Sequence, residues 1–326
     1  MDPITHGIIG AAVARLTGNN ITISDAATVS IVVGSIFPDI DIVFQKWGDY
    51  VYLKNHRGLT HSIMGIIISS IFLAISLGFF FRGTAIYELF MWSFAGGLSH
   101  SAFDLLNSYG AKLLWPFCNK KFSLGILNTF DPLLLLTLTS YIVSRPDFRT
   151  ASLIVFISYI VLRILMKWFV SNEIHKNYTT EGSKLSLLPS LTSLFRWHFV
   201  LEEPDRSVVG EKNILKSNIK IFKVFDKIED EVLKKVSFSY VGRFFSEFTP
   251  VFHVMSESID DVTRYVFIDM RYYIRNGFLH HAVLEIDKDD NVVNASFNPY
   301  SINRISPIPN TDYRRDNTFF FRLVGM

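Results

Sequence analysis

Ile63–Phe81 reads IMGIIISSIFLAISLGFFF, an uncharged apolar run between His61 and Arg82. At the helical rise of about 1.5 Å per residue this stretch crosses roughly 30 Å, the hydrocarbon thickness of a bilayer, and is read as a transmembrane helix. The rest of the chain agrees with that class. Its 326 residues are 49% hydrophobic and include 30 phenylalanines. The mean hydropathy of +0.27 is too apolar for an ordinary soluble domain.

Outward from this run, the long apolar stretches lie before residue 175, and six helices are read at roughly 3–17, 24–43, 61–81, 85–107, 124–144 and 150–170. All but the third are interrupted by Asp25, Asp39, His100, Asp104, Asp131 or Arg163, so some are expected to be short, tilted or interfacial. Asp2-Pro3 and Asp131-Pro132 each pair an N-cap with a first helical position, so the fifth helix can begin as late as Asp131. From Glu173 onward charges recur every few residues and the pattern shortens toward period two. The sequence therefore predicts an α-helical membrane bundle over 1–175 and a soluble α+β domain over 176–326. In the latter, Ile228, Val232, Leu233 and Val236 share one face of an amphipathic helix. Val262–Ile274, Asn276-Gly277 and Phe278–Ile286 read as a hairpin, with a third strand near Val292–Phe297.

A net charge of +2 without a dense Lys/Arg tract gives no nucleic-acid footprint. The lone cysteine, Cys118, excludes an intrachain disulfide and a multi-cysteine zinc cage, leaving histidine and carboxylate as metal ligands. The start, Met1 to His6, has no basic segment and Arg15 interrupts the following apolar stretch, so no cleaved signal peptide is expected.

Four segments place such ligands near helix ends: Thr5-His6, Pro38-Asp39-Ile40-Asp41, His56 to Ser62 with His61, and His100 with Asp104. The last two residues are four apart and project from one helix face, and Gly96 one turn earlier admits a close helix neighbour. Tracing the helices back and forth brings His6, Asp39, Asp41, His56, His61, His100 and Asp104 to one membrane level. Ionisable groups at that depth are costly and face a bundle interior with partners, so the seven are read as one metal site. Their donor set suits a divalent metal, with zinc favoured and room for two ions. Arg57 is placed beside the site to pair with a substrate phosphate. Asp131 is explained as an N-cap. His280 and His281 are strand neighbours on opposite faces and are read as structural, while His175, His198 and His253 are isolated in sequence.

These motifs, Met1-Asp2-Pro3-Ile4-Thr5-His6, Phe37-Pro38-Asp39-Ile40-Asp41, His56-Arg57-Gly58-Leu59-Thr60-His61-Ser62 and Leu98-Ser99-His100 with Asp104, resemble the membrane-bound metal-dependent hydrolase family of the YdjM type. The resemblance covers about the first 120 residues, including Trp115-Pro116-Phe117, and implies an inner or plasma membrane location and a hydrolase label.

Two functions follow. One is metal-dependent hydrolysis of a lipid or membrane-associated ester, with a phosphoester favoured by Arg57. The other is a noncatalytic membrane protein whose polar cluster carries ions or holds the bundle together while the tail binds a partner. Lys46, Lys54, Arg57, Lys112, Lys120, Lys121, Lys167 and Lys176 outnumber Arg82, Arg145 and Arg149 on the opposite level. The positive-inside bias thus puts the cluster and both termini in the cytoplasm.

Overall fold

In the computed structural model the described residues are 1–308 except Asn20, Phe238, Arg275, Asp290, Ser301 and Ile302. They fall into two compact units. The first comprises Met1–Phe44, Asn55–Asn172 and Leu188–Arg196; the second comprises Gln45–Lys54, Glu173–Leu187 and Trp197 onward.

The helices are α1 (Pro3–Leu16), α2 (Ala26–Ile36), α3 (Asp49–Asn55), α4 (Ile63–Gly78), α5 (Ile86–Leu106), α6 (Pro132–Val143) and α7 (Pro146–Tyr178). Their starts obey capping chemistry, since Asp2, Asp25, Ser62 and Asp131 each accept backbone N–H groups of the first turn. α2 runs on as a tighter 3-10 stretch, Phe37–Trp47, entered at Pro38.

Among the described residues two stretches are long and apolar enough to cross a membrane, Ala26–Trp47 and Pro146–Tyr178. A third arises if Asp49–His61 and Ile63–Gly78, bent by 77°, form one broken span. The six expected helices are present as α1, α2, α4, α5, α6 and α7, several of them too short to be spans by length and composition. The run over 63–81 does not make a clean span, because Ser62 caps α4 late and the helix stops at Phe79. Its 16 residues reach only about 24 Å. The fifth predicted helix starts at Pro132, and the sixth extends to 33 residues.

In the first unit, α2 and α5 touch backbone to backbone. A Cβ on Gly34 would lie 2.2 Å from the Ser93 carbonyl oxygen, and one on Gly96 would lie 2.1 Å from that of Ile31. Small residues permit this approach, as at helix contacts in membranes. A core of Met1, Ile9, Ala12, Ile126, Leu127, Leu134, Leu138, Tyr141 and Tyr159 fills the space between α1, α6 and α7. The outward faces are apolar: Ile68, Ile71, Phe72 and Ile75 on α4, and Ile154, Val155, Ile157, Leu165 and Trp168 on α7, are about half exposed or more. Exposed apolar surface on this scale marks contact with lipid or protein.

The second unit carries a four-stranded sheet in the order β1 (Lys184–Pro189), β2 (Arg196–Glu202), β3 (Arg206–Asn213), β4 (Ile219–Asp226). Then come α8 (Asp230–Ser237), α9 (Tyr240–Phe248), β5 (Phe252–Ile259), β6 (Val262–Asp269), β7 (Tyr273–Ile274), β8 (Gly277–Phe278), β9 (His281–Asp287), β10 (Val292–Asn298) and β11 (Ser306–Pro307). The larger sheet has the order β11-β10-β9-β6-β5. β6 and β9 pair antiparallel from Val262↔Asp287 to Ile268↔His281. The predicted single hairpin is thus interrupted after Asp269. Its tip is the separate pair β7-β8, turned by Asn276 at φ +67°. Phe244, Phe245 and Phe248 of α9 pack on Phe267 and Phe297, with ring centroids 5.1–6.4 Å apart.

Candidate metal centre

The site is assembled from five pieces of chain. Asp2 and Pro3 start α1, which sets His6 one turn into the helix with its ring fully buried. The 3-10 stretch after α2 buries Asp39 and Asp41 while Ile40 and Ile42 are 47% and 48% exposed. Polar side chains therefore point inward and apolar ones outward, the arrangement expected of a bundle in lipid. Arg57 sits in the left-handed region at φ +63°, a conformation unfavourable for a side chain with a Cβ. That geometry turns its N–H onto Asp41 Oδ2 at 3.2 Å. His61 ends the short 3-10 turn Leu59–His61, and α5 contributes His100 and Asp104.

All seven predicted ligands meet here. His61 Nε2 lies 3.4 Å from Asp39 Oδ1 and 3.5 Å from Asp104 Oδ2. His100 Nε2 lies 3.7 Å from Asp39 Oδ1 and 3.8 Å from Asp104 Oδ2. His6 Nε2 is 3.4 Å from Asp104 Oδ1, and the His6 and His100 rings stack at 3.5 Å. At the rim, His56 Nδ1 is 2.9 Å from Asp41 Oδ1. Three triads, His6/Asp39/His100, Asp39/His56/His61 and His61/His100/Asp104, each hold their donor atoms within 4.8 Å of one another.

The facing atoms are what make these groups fit a cation. Both ring nitrogens of His6, Nε2 of His61 and His100, both oxygens of Asp39 and Oδ2 of Asp104 are buried without a hydrogen-bond partner. Orphaned buried polar atoms are strongly disfavoured, and here they face one another. The outer atoms, by contrast, are held. His100 Nδ1 is 2.7 Å from the Ser35 carbonyl oxygen, and Ser35 Oγ donates to the His6 carbonyl oxygen at 2.8 Å. Thr60 Oγ1 lies 3.2 Å from Asp41 Oδ2 and 3.0 Å from His61 Nδ1. Such outer contacts fix the orientation of a liganding ring.

Several members were not legible in the sequence. Asn107, just past the end of α5, donates through Nδ2 to Asp104 Oδ1 at 2.9 Å. Its Oδ1 accepts from Arg57 Nη1 at 3.0 Å and from the Tyr109 and Gly110 N–H groups at 2.8 and 3.1 Å. An Asp and an Asn three apart at a helix end was the available signal. The Met1 ammonium also contacts Asp104 Oδ1. Three buried carboxylates, Asp39, Asp41 and Asp104, thus lie close to the Arg57 backbone or guanidinium and to the cluster histidines. Arg57 is already engaged, donating Nε to His56 Nε2 at 3.2 Å and lying 3.4 Å from Asp104 Oδ2.

Asp131 is accounted for apart from the cluster: it accepts from Leu134 N–H at 3.1 Å and from the Tyr159 hydroxyl at 2.7 and 2.8 Å. His280 and His281 lie in the second unit.

The family model described as the YdjM inner membrane protein matches residues 1–171, which contain every residue of this cluster. The chain belongs to the YdjM inner membrane protein family. A second model, the YfhP C-terminal alpha/beta plait domain, matches residues 231–305, from α8 to the approach to β11. Over 304 residues the chain is 25% identical to the uncharacterized protein YfhP of Bacillus subtilis (strain 168), covering 89% of this chain and 92% of that protein. No solved structure matches the chain. The YdjM region therefore coincides with the helical unit and its buried His/Asp cluster, which has the donors to bind metal.

Proposed function

We propose that this YdjM-family protein is a metal-dependent hydrolase of the membrane, acting on a lipid or other membrane-associated ester, with a phosphoester preferred. The observation that carries this reading is the set of orphaned, mutually facing atoms on His6, Asp39, His61, His100 and Asp104. His6, Asp39, His61, His100 and Asp104 would hold the ion, with Asp41 and His56 at the rim. Zinc is favoured by the imidazole-carboxylate donor set, and the shared residues of the three triads suit one or two ions. When bound, such an ion makes water nucleophilic near neutral pH and offsets charge on a phosphoryl or acyl oxygen.

The protein's own groups supply the remainder. Arg57, beside His56 and Asp104, would pair with a substrate phosphate by exchanging contacts that hold its Nε on His56 and its Nη1 on Asn107. The excess of lysine on the connections around the cluster supports a cytoplasmic orientation.

The test is metal analysis of the purified full chain, followed by chelation, restoration with Zn²⁺ or Mn²⁺, and assay against phosphatidic acid and bis-nitrophenyl phosphate. Stoichiometric metal with metal-dependent turnover is expected. Metal without turnover of any ester would favour the noncatalytic reading, and failure to bind metal would sink both the site and the reaction.

A further inference from the structure

A cleft of about 130 Å³ opens on the first unit, lined by Ile9, Ala12, Val13 and Leu16 of α1, Phe103 of α5, and residues of α6 and α7 that include Leu138, Tyr141 and Phe156. The volume suits a run of methylene groups rather than a whole polar small molecule, and its lining exposes none of the polar atoms that ordinarily orient such a ligand. A water-filled apolar cleft is unfavourable, so its natural occupant is a hydrocarbon.

Two features decide which hydrocarbon. The first is position relative to the cluster. Ile9 follows His6 by three residues on α1, so along that helix the lining begins about 4.5 Å from a cluster histidine. From Ile9 to Leu16 it then runs about 10 Å. The second is continuity with the apolar outer surface. Leu16, in the lining, is 61% exposed, and Ile154, Val155 and Ile157 beside Leu153 and Phe156 are 50–57% exposed. The cleft is therefore entered from the face that an inner membrane protein turns to lipid.

We infer that this cleft seats one acyl chain of a membrane lipid, placing the ester or phosphoester of that lipid at the His/Asp cluster. The inference rests on the hydrolase reading of the cluster for its substrate, but the binding it asserts is measured separately. A chain lying along α1 carries its polar end toward His6 and its methyl end toward Leu16, which orients the head group on the side of Asp39, His61 and Arg57. The apolar lining gives no purchase to a water-soluble phosphoester, so the preferred substrate is a lipid.

The experiment uses the full chain in phosphatidylcholine vesicles containing phosphatidic acid with a diazirine in one acyl chain. Photolysis and peptide mapping should concentrate label on 9–16, Phe103, Leu138 and 153–156. Val13→Trp and Leu153→Trp, two independent fillings of the cleft, should each reduce that label by about tenfold while metal content stays unchanged. Label distributed over Ile67, Ile68, Ile71 and Ile154 according to exposure, and unaffected by both fillings, would overturn the inference. Concentrated, filling-sensitive label on a protein that cleaves no ester would uphold the cleft and remove the hydrolase reading.

Discussion

His100 Nδ1 lies 2.7 Å from the Ser35 carbonyl oxygen, a contact between α5 and the end of α2 that makes Nδ1 the protonated nitrogen. Nε2 is then the basic atom and faces Asp39 and Asp104. Replacing His100 or Asp104 with Ala should lower metal affinity by at least about 100-fold and abolish metal-dependent turnover. Membrane insertion should persist, because removing a polar group from a bundle does not oppose it. Full metal occupancy in both variants, measured by elemental analysis, would count against ligation.

Asn107 ties Asp104 to Arg57 through its own amide. Asn107→Ala should leave every ligand present yet weaken metal binding by about 10–100-fold, as loss of an orienting group does elsewhere. Asn107→Asp, which keeps the acceptor for Arg57 but sets an oxygen against Asp104 where Nδ2 donates, should not recover that loss. Equal metal affinity in wild type and Asn107→Ala would show that the hub is dispensable.

Gly96 sets the spacing of α2 and α5, and with it the distance from Asp39 to His100. Gly96→Val drives a methyl group into the Ile31 carbonyl, so the helices must separate. A destabilisation of about 1–3 kcal/mol or more is expected, lowering the thermal midpoint in detergent by roughly 2–10 °C. Metal content should fall in the same variant, and an unchanged midpoint would exclude the tight crossing.

In the second unit, burial holds the His280 ring down to about 4 from its ordinary 6.5. The ring sits against Phe248 and Phe297 and accepts the Tyr300 N–H at 3.3 Å. Between those pH values the unfolded chain takes up a proton that the folded ring refuses. Its contribution is thus complete above pH 6.5 and declines as pH falls toward 4, by about 3 kcal/mol in all. Hydrogen exchange in β6 and β9, corrected for intrinsic rates, should show that loss, and His280→Gln should flatten it. An equally steep profile in the variant would assign the effect to other groups.

Reporter fusions at the C-terminus and within 108–123 should both report cytoplasm. An external signal from either would reverse the orientation proposed from the lysine distribution.

The cluster was more legible than the helices that build it. Ligand types and the four-residue spacing of His100 and Asp104 are written in the sequence, and alternating helices suffice to gather them on one level. Helix boundaries, and with them the clean span over 63–81, were misplaced because apolar composition does not report where a helix stops. Ser62 as a cap, Pro38 at the change to 3-10 geometry and the halt at Phe79 shorten elements that hydropathy joins. Asn107 escaped notice because its role is a set of contacts made only after α5 and the loop at Arg57 converge. In the tail, the period-two pattern of β6, β9 and β10 was readable, whereas β1–β4 and α9 carried no comparable turn signal.

Gln45–Lys54 belongs to the second unit, although it lies in the chain between Asp41 and His56. There Asp49 binds Arg304 at 2.7 and 2.9 Å, and the Tyr50 ring meets Phe244 at 4.9 Å. Leu188–Arg196 makes the reverse exchange, counted with the helices though it follows them. Severing the polypeptide near residue 175 would therefore yield two incomplete fragments. The N-terminal one would carry an orphaned decapeptide between two of its ligand motifs, and the C-terminal one would lack the tyrosine and aspartate that Phe244 and Arg304 hold.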